Sequence, residues 1–190
     1  MTLILGFDTS GPYCAATLLR DGEAVALRHE AMKKGQAERL MPLLEEVLNE
    51  VGIIWRDLDA IGVGTGPGNF TGIRIAVSAA RGLALGLDIP AVGVDGFDAR
   101  ALSAPPAHQV AIPAPRDQLY LRTEAGIALL ARSEIDGPVH AEVDPADLVR
   151  AIARLAAERR AETTTPPAPV YARPADAAPA SDPPPRILDA

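Results

Sequence analysis

Gly64-Thr65-Gly66-Pro67-Gly68-Asn69-Phe70-Thr71-Gly72 is the stretch that decides how this 190-residue chain is read. It follows a short apolar run, Ala60-Ile61-Gly62-Val63, and leads into a long one that begins at Ile73. Five glycines and a proline fall between residues 62 and 72. Glycine permits positive φ and close backbone approach, so the pattern reads as a buried strand turning sharply into a helix. Two uses of the turn stay open. Unpaired N–H groups at a helix start can hold an anion, which would make it a phosphate cradle around Gly66 and Gly68. Alternatively, its glycines serve packing alone. The spacing is neither the P-loop pattern ending in Gly-Lys-Ser/Thr nor a G-x-G-x-x-G fingerprint after a first strand.

The helix beyond the turn spans Ile73 to about Leu87. Its small residues are Ala76, Ser78, Ala79, Ala80, Gly82, Ala84 and Gly86, and its only charges are Arg74, Arg81 and Asp88. A helix apolar on nearly all sides must be covered on nearly all sides. One side can rest on its own sheet. The other can meet a second helix of this chain or a second polypeptide, since exposed apolar patches of this extent are rare on monomers.

Before the turn, Leu3-Ile4-Leu5-Gly6-Phe7 ends in the turn signal Asp8-Thr9-Ser10-Gly11-Pro12. Cys14 to Leu19 reads as a strand, and Asp21-Gly22 as a hairpin turn into Ala24–Leu27. Leu40, Leu44, Val47, Leu48 and Val51 recur at helical spacing over residues 37–51, with Gly52 as the stop. Pro42 belongs to the first turn of that helix or kinks one that begins earlier. After the second helix, Ala91–Val94 is a fifth strand. The order β-β-β-α-β-α-β predicts an α/β fold with a mixed sheet and helices against it.

Proline then marks a change. Four of the 18 prolines precede residue 105 and 14 follow. A boundary near Ser103–Ala107 divides the chain into lobes at 1–104 and 105–190. The second holds strands at Gln109–Ile112 and Gln118–Thr123, then a helix at about Pro145–Arg160. Asp144 is its N-cap, and Leu148, Ile152 and Leu155 form its apolar face. From Thr163 the Pro/Ala-rich stretch predicts little regular structure beyond a short strand at Val170-Tyr171.

The formal net charge is −7. No basic stripe is present, and phosphate neutralisation supplies most nucleic-acid affinity, so any role with RNA is indirect. The one cysteine, Cys14, cannot pair within the chain. With no basic leader and apolar segment at the start, a cytoplasmic protein without a membrane partner is expected. Asp8, Thr9 and Ser10 can meet phosphate, or simply bond one another within a turn. His29, His108 and His140 are isolated in sequence, so neither a metal site nor a catalytic set is expected.

Four stretches resemble the TsaB (YeaZ) family: Ile4–Ser10, Ala37–Leu43, Asp57–Ile61 and above all Gly64–Arg74. The resemblance covers about residues 1–100, with a weaker piece at Pro169–Pro174. It implies an actin-like (ASKHA) fold of two related lobes with mixed sheets, the second shortened. It further implies a non-catalytic subunit for forming threonylcarbamoyladenosine in tRNA. The implied partners are the catalytic paralogue TsaD and the ATPase TsaE, with self-association as a homodimer through the same surface. Carried onto this chain, that surface is Leu40, Met41, Leu44 and Leu48 of the first helix, with Ile73, Arg74, Val77, Ala80, Arg81 and Ala84 of the second. Asp8, Thr9, Ser10, Gly66 and Gly68 become a vestigial phosphate site, and weak ATP or ADP binding at a subunit contact is the only cofactor expectation. Three positions depart from the family pattern: Gln36 where relatives carry His, Asn69 for Ser, and Ala114-Pro115-Arg116 for Asp-Ala-Arg. The alternatives are a stand-alone actin-like ATPase or small-molecule kinase and a metallopeptidase-like hydrolase.

Overall fold

Alternation along the first strand sets the layers. In a computed structural model that describes residues 1–172, Leu3, Leu5 and Phe7 of β1 (Leu3–Asp8) join one core, while Ile4 joins another on the opposite face. β2 (Tyr13–Arg20) and β3 (Glu23–Ala31) run antiparallel beside β1, turned by Asp21 and Gly22, both at positive φ. β4 (Ala60–Gly64) and β5 (Ala91–Val94) run parallel on the other side. The strand order is β3-β2-β1-β4-β5.

α1 (Gln36–Glu50) and α2 (Phe70–Leu87) cover one face of this sheet. α1 begins one residue before the predicted range, and Pro42 lies inside it rather than in its first turn. Gly52, at φ 67, takes the left-handed conformation that stops the helix. α2 begins three residues earlier than predicted. Asn69 caps it by accepting from the Thr71 and Gly72 N–H groups at 3.0 and 3.2 Å.

α3 (Gly96–Ala101) leads to a second sheet of β6 (Gln109–Ala114), β7 (Gln118–Thr123), β8 (Gly126–Ala131) and β9 (Val139–His140), ordered β8-β7-β6-β9. β7 is antiparallel to both neighbours, and β9 is parallel to β6. The second sheet thus repeats the first through its fourth strand. The α/β class and the shortened second sheet agree with the expected fold.

The expected lobe boundary needs correcting. α4 (Pro145–Arg159) belongs to the second half by sequence, yet it packs on the first sheet. Its Leu148, Ile152, Ala153, Leu155 and Ala156 join Ile4, Leu19, Ala60, Val92 and Val94 in one core. A Cβ on Gly6 would lie 2.6 Å from the Ala153 methyl, and one on Gly62 would lie 2.7 Å from the Ala156 methyl. The reason is burial. The first sheet has two apolar faces and α1 and α2 cover one, whereas among the described residues the second sheet's core cluster is Ala111, Leu119, Leu121 and Ala141 with a few half-buried neighbours. The segment after α4 also returns to the first sheet, where the Val170 N–H donates to the Thr65 carbonyl at 2.8 Å. Val170-Tyr171 makes that bond without forming a strand. Most of the Pro/Ala-rich tail expectation, and Arg173-Pro174 of the resemblance, lie outside the described residues.

Candidate functional site

The β1–β2 turn and the glycine turn before α2 are pressed together. Asp8 and Thr9 are buried. Asp8 Oδ2 accepts from the Ser10 hydroxyl at 2.8 Å and the Tyr13 hydroxyl at 2.5 Å, and its Oδ1 accepts from the Ser10 N–H at 3.1 Å. The Thr9 hydroxyl donates to the Gly72 carbonyl at 2.6 Å, and the Asn69 N–H donates to the Ser10 carbonyl at 2.7 Å. A Cβ on Gly72 would stand 1.9 Å from the Thr9 oxygen, one on Gly68 2.5 Å from the Ser10 oxygen, and one on Gly64 2.3 Å from Asp8 Oδ1. Gly66 sits at φ 90 with its α-carbon against Ile73. These glycines serve close approach of two turns. The polar groups of Asp8, Thr9 and Ser10 are spent on each other and on that packing.

Tyr13 is the partner that pattern reading missed. Burial, then the neighbouring Asp8 charge, pushes its hydroxyl well above the ordinary tyrosine range. Nearby, buried Arg100 donates to the Ala141 and Gly96 carbonyls, both at 3.1 Å. Burial lowers its pKa, and the charges of Tyr13, Asp8, Glu142 and Asp95 oppose that shift. Among the described residues, no group of three or more His, Cys, Asp or Glu side chains is placed to hold a metal ion. His29 lies on β3 and His140 on β9, where His140 Nε2 is 3.0 Å from the Ser103 hydroxyl.

The helix layer is the other candidate. Of the ten residues expected at a partner surface, seven lie inside this chain's own core: Leu40, Leu44, Leu48, Ile73, Val77, Ala80 and Ala84. They are the apolar faces of α1 and α2 turned to the sheet, so they are corrected from interface to core. Met41, Arg74 and Arg81 are the three that remain on the surface. With them the outward face of α2 carries Ser78, Gly82, Leu85 and Gly86, and Leu85 is 86% exposed. Cβ atoms at Gly82 and Gly86 would meet nothing within 4 Å. The helix is long and apolar enough to cross a membrane by length and composition, yet one side of it is fixed in the core.

At its N-terminal end Arg74 lies over the Phe70 ring, 4.0 Å from the centroid, and its Nε donates to the Tyr171 hydroxyl at 2.8 Å. Phe70 and Tyr171 have ring centroids 4.9 Å apart. At the other end, a groove of about 670 Å³ runs between Arg81, Leu85 and the Thr163–Pro167 segment. No sequence period pointed to Phe70 or Tyr171, which are 101 residues apart and meet only through the returning segment. Two of the three departures have local roles: Asn69 caps α2, and buried Gln36 donates to the Met32 carbonyl at 3.2 Å.

Comparison with known proteins bears on this site. A family model described as "TsaD: tRNA N6-adenosine threonylcarbamoyltransferase" matches residues 30–176. The tRNA threonylcarbamoyladenosine biosynthesis protein TsaB of Haemophilus influenzae is 34% identical over 122 residues, which are 62% of this chain and 51% of that protein. Escherichia coli TsaB is 37% identical over 91 residues, which are 48% of this chain and 39% of that protein. The chain therefore spans about half the length, or less, of these relatives in sequence. A Pseudomonas aeruginosa crystal structure described as similar to peptidase YeaZ superposes with a TM-score of 0.71 at 27% identity, covering 91% of this chain and 100% of that one.

Proposed function

The chain belongs to the TsaD family of tRNA N6-adenosine threonylcarbamoyltransferases, in its TsaB (YeaZ) branch, and from that premise we propose that it serves tRNA threonylcarbamoyladenosine formation as a pairing subunit without a catalytic centre of its own. The pairing surface is the outward face of α2, and its main partner is the catalytic paralogue TsaD. TsaE joins through that pair, tRNA is reached only through the complex, and the protein acts in the cytoplasm. Two copies of this chain use the same face when TsaD is absent.

One observation carries this reading. Ser78, Gly82 and Gly86 recur every four residues on an exposed helix face, and nothing among the described residues would come within 4 Å of a Cβ at either glycine. Each interior helix glycine costs up to about 1 kcal/mol relative to alanine. A second helix lying close along this stripe gives that cost a use, with Leu85 as its apolar anchor and Arg74 and Arg81 as its charged rim. Against independent catalysis stands the Asp8-Thr9-Ser10 turn, whose polar groups already bond within the chain.

Co-expression with TsaD followed by size-exclusion chromatography tests the proposal. Leu85→Glu and Gly82→Leu should abolish co-elution while leaving circular dichroism and melting temperature close to the parent, because both positions face open space. Unimpaired co-elution of both variants with TsaD would overturn it.

A further inference from the structure

α1 and α2 carry opposite charge on their exposed sides. On α1, Glu38 and Glu45 are exposed, with exposed Met41 between them. On α2, Arg74 and Arg81 are exposed, with exposed Ser78 between them. The members of each pair are seven residues apart. They therefore lie on one side of their helix, separated by about 10.5 Å along its axis. Other charges of this layer are already engaged. Arg39 of α1 pairs with Glu30 and Glu46, and Arg28 of β3 reaches Glu46 and Glu50. Glu38, Glu45, Arg74 and Arg81 form no ion pair among the described residues.

The two arginines border one hollow. It holds about 410 Å³ and is lined by Arg74, Val77, Ser78, Arg81, Pro169 and Tyr171, with no carboxylate among them. Arg74 is held in place there, its guanidinium over the Phe70 ring and its Nε donating to the Tyr171 hydroxyl. That leaves the Nη edge of the guanidinium to take a carboxylate, a charge-assisted contact that arginine makes with defined geometry.

We propose that α1 of a second copy of this chain lies against α2, with its Glu38 and Glu45 meeting Arg74 and Arg81. This rests on the reading of the outward α2 face as a pairing surface, and it names what the second copy brings to that face. The equal spacing couples the two contacts. When one acid reaches one arginine, the other acid comes into reach of the other arginine, whichever way the helices run. The charges also select the helices. Packing α1 on α1 sets glutamate against glutamate, and packing α2 on α2 sets arginine against arginine, and like charges across an interface are costly. In a two-fold contact each copy gives its α1 to the other's α2, so the same ion pairs form twice.

A charge swap tests the proposal in the full-length protein, by light scattering at concentrations where the unmodified chain dimerises. One variant carries Glu38→Arg and Glu45→Arg, the other Arg74→Glu and Arg81→Glu. Alone, each should dimerise at least about tenfold more weakly than the parent, because like charges then meet across the contact. Mixed in equal amounts, the two should dimerise again, since every contact in the mixed pair joins opposite charges. The parent dimer should also weaken as salt is added, a reading that depends on no variant. A parent that stays monomeric, a dimer indifferent to salt, variants that dimerise undiminished alone, or folded variants that do not recover on mixing overturns the proposal. Leu85→Glu separates it from the reading it rests on. If that variant is monomeric while both charge variants still dimerise, the α2 face stands and the ion pairs fall. If Arg74→Glu with Arg81→Glu loses TsaD and keeps its own dimer, the arginines belong to TsaD and the second copy is overturned as their occupant.

Discussion

The two sheets share a plan and differ in what covers them. Through four strands the orders β3-β2-β1-β4 and β8-β7-β6-β9 correspond, with the same parallel and antiparallel relations. Between its third and fourth strands the first sheet has α1, a fifteen-residue helix. The second has only a single 3₁₀ turn at Arg132–Glu134. The helix after the fourth strand lies on its own sheet in the first case, as α2. In the second case, as α4, it leaves to seal the first sheet. Equivalent topology therefore gives unequal stability, because burial rather than strand order supplies most of the free energy. The first sheet is enclosed on both faces. The second is held to it by α3, by the Arg100 bonds and by Arg122, whose guanidinium reaches Asp95 at 2.9 Å and Asp98 at 3.1 Å.

The strongest way to break this contrast is to remove the helix that the second half lends to the first. Gly62→Val puts branched carbon where the Ala156 methyl and the Ile152 carbonyl already lie. We expect a loss of about 3 kcal/mol, read by chemical denaturation, with the fluorescence of Trp55 as one probe. A loss below about 1 kcal/mol would mean that α4 does not hold the sheet in this way.

Alkaline titration sharpens the contrast by acting on the first sheet. Burial raises the Cys14 thiol to about 11 and holds the Tyr13 hydroxyl well above its ordinary range. For both groups the folded pKa lies above the unfolded one. Their stabilisation is complete below the unfolded values and is lost as pH rises through the folded ones. Between pH 9 and 11 stability should fall, by on the order of 2 kcal/mol from Cys14. Cys14→Ala should flatten that part of the urea midpoint–pH curve.

The smallest expected effect belongs to the second sheet. Arg122 is half exposed, and removing it as Arg122→Ala should cost about 1 kcal/mol or less, diminishing with added salt. Its signature is local. Amide hydrogen exchange should quicken in β6–β8 and stay unchanged in β1–β5. Equal acceleration in both sheets would erase the distinction.

Much of the first sheet was readable from pattern. Alternation in Leu3–Phe7, the Asp21-Gly22 turn, the Leu40–Leu48 period and the Asp144-Pro145 start all led to the observed elements. The inward and outward sides of α2 were not readable, and the reason is chemical. Its exposed side is built from Ser78, Gly82, Leu85 and Gly86 and its buried side from Ile73, Ala76, Val77, Ala80 and Ala84, so hydropathy barely separates them. The resemblance placed seven core residues at an interface, and for the four on α2, Ile73, Val77, Ala80 and Ala84, pattern offered no correction. The short apolar run at Gly126–Ala131 carried no period able to distinguish strand from helix. The docking of α4 was hidden because nothing local to residues 145–159 says which sheet has an uncovered face. In the candidate phosphate turn, bonding of Asp8 and Ser10 within the turn was one of the two readings the sequence offered, but the Thr9 bond to Gly72 and the Asn69 bond to Ser10 depend on how two turns nest.

The order in which the ribosome delivers these pieces has a consequence. Strands β1 to β5 emerge complete, but the helix that shelters their far side follows about fifty residues behind β5. Until it arrives, Ile4, Leu19, Ala60, Val92 and Val94 stay wet on a nascent chain. Such uncovered surface is what chaperones bind and what aggregates capture. Slowing translation between codons 95 and 145 should therefore lower soluble yield more than slowing it anywhere upstream.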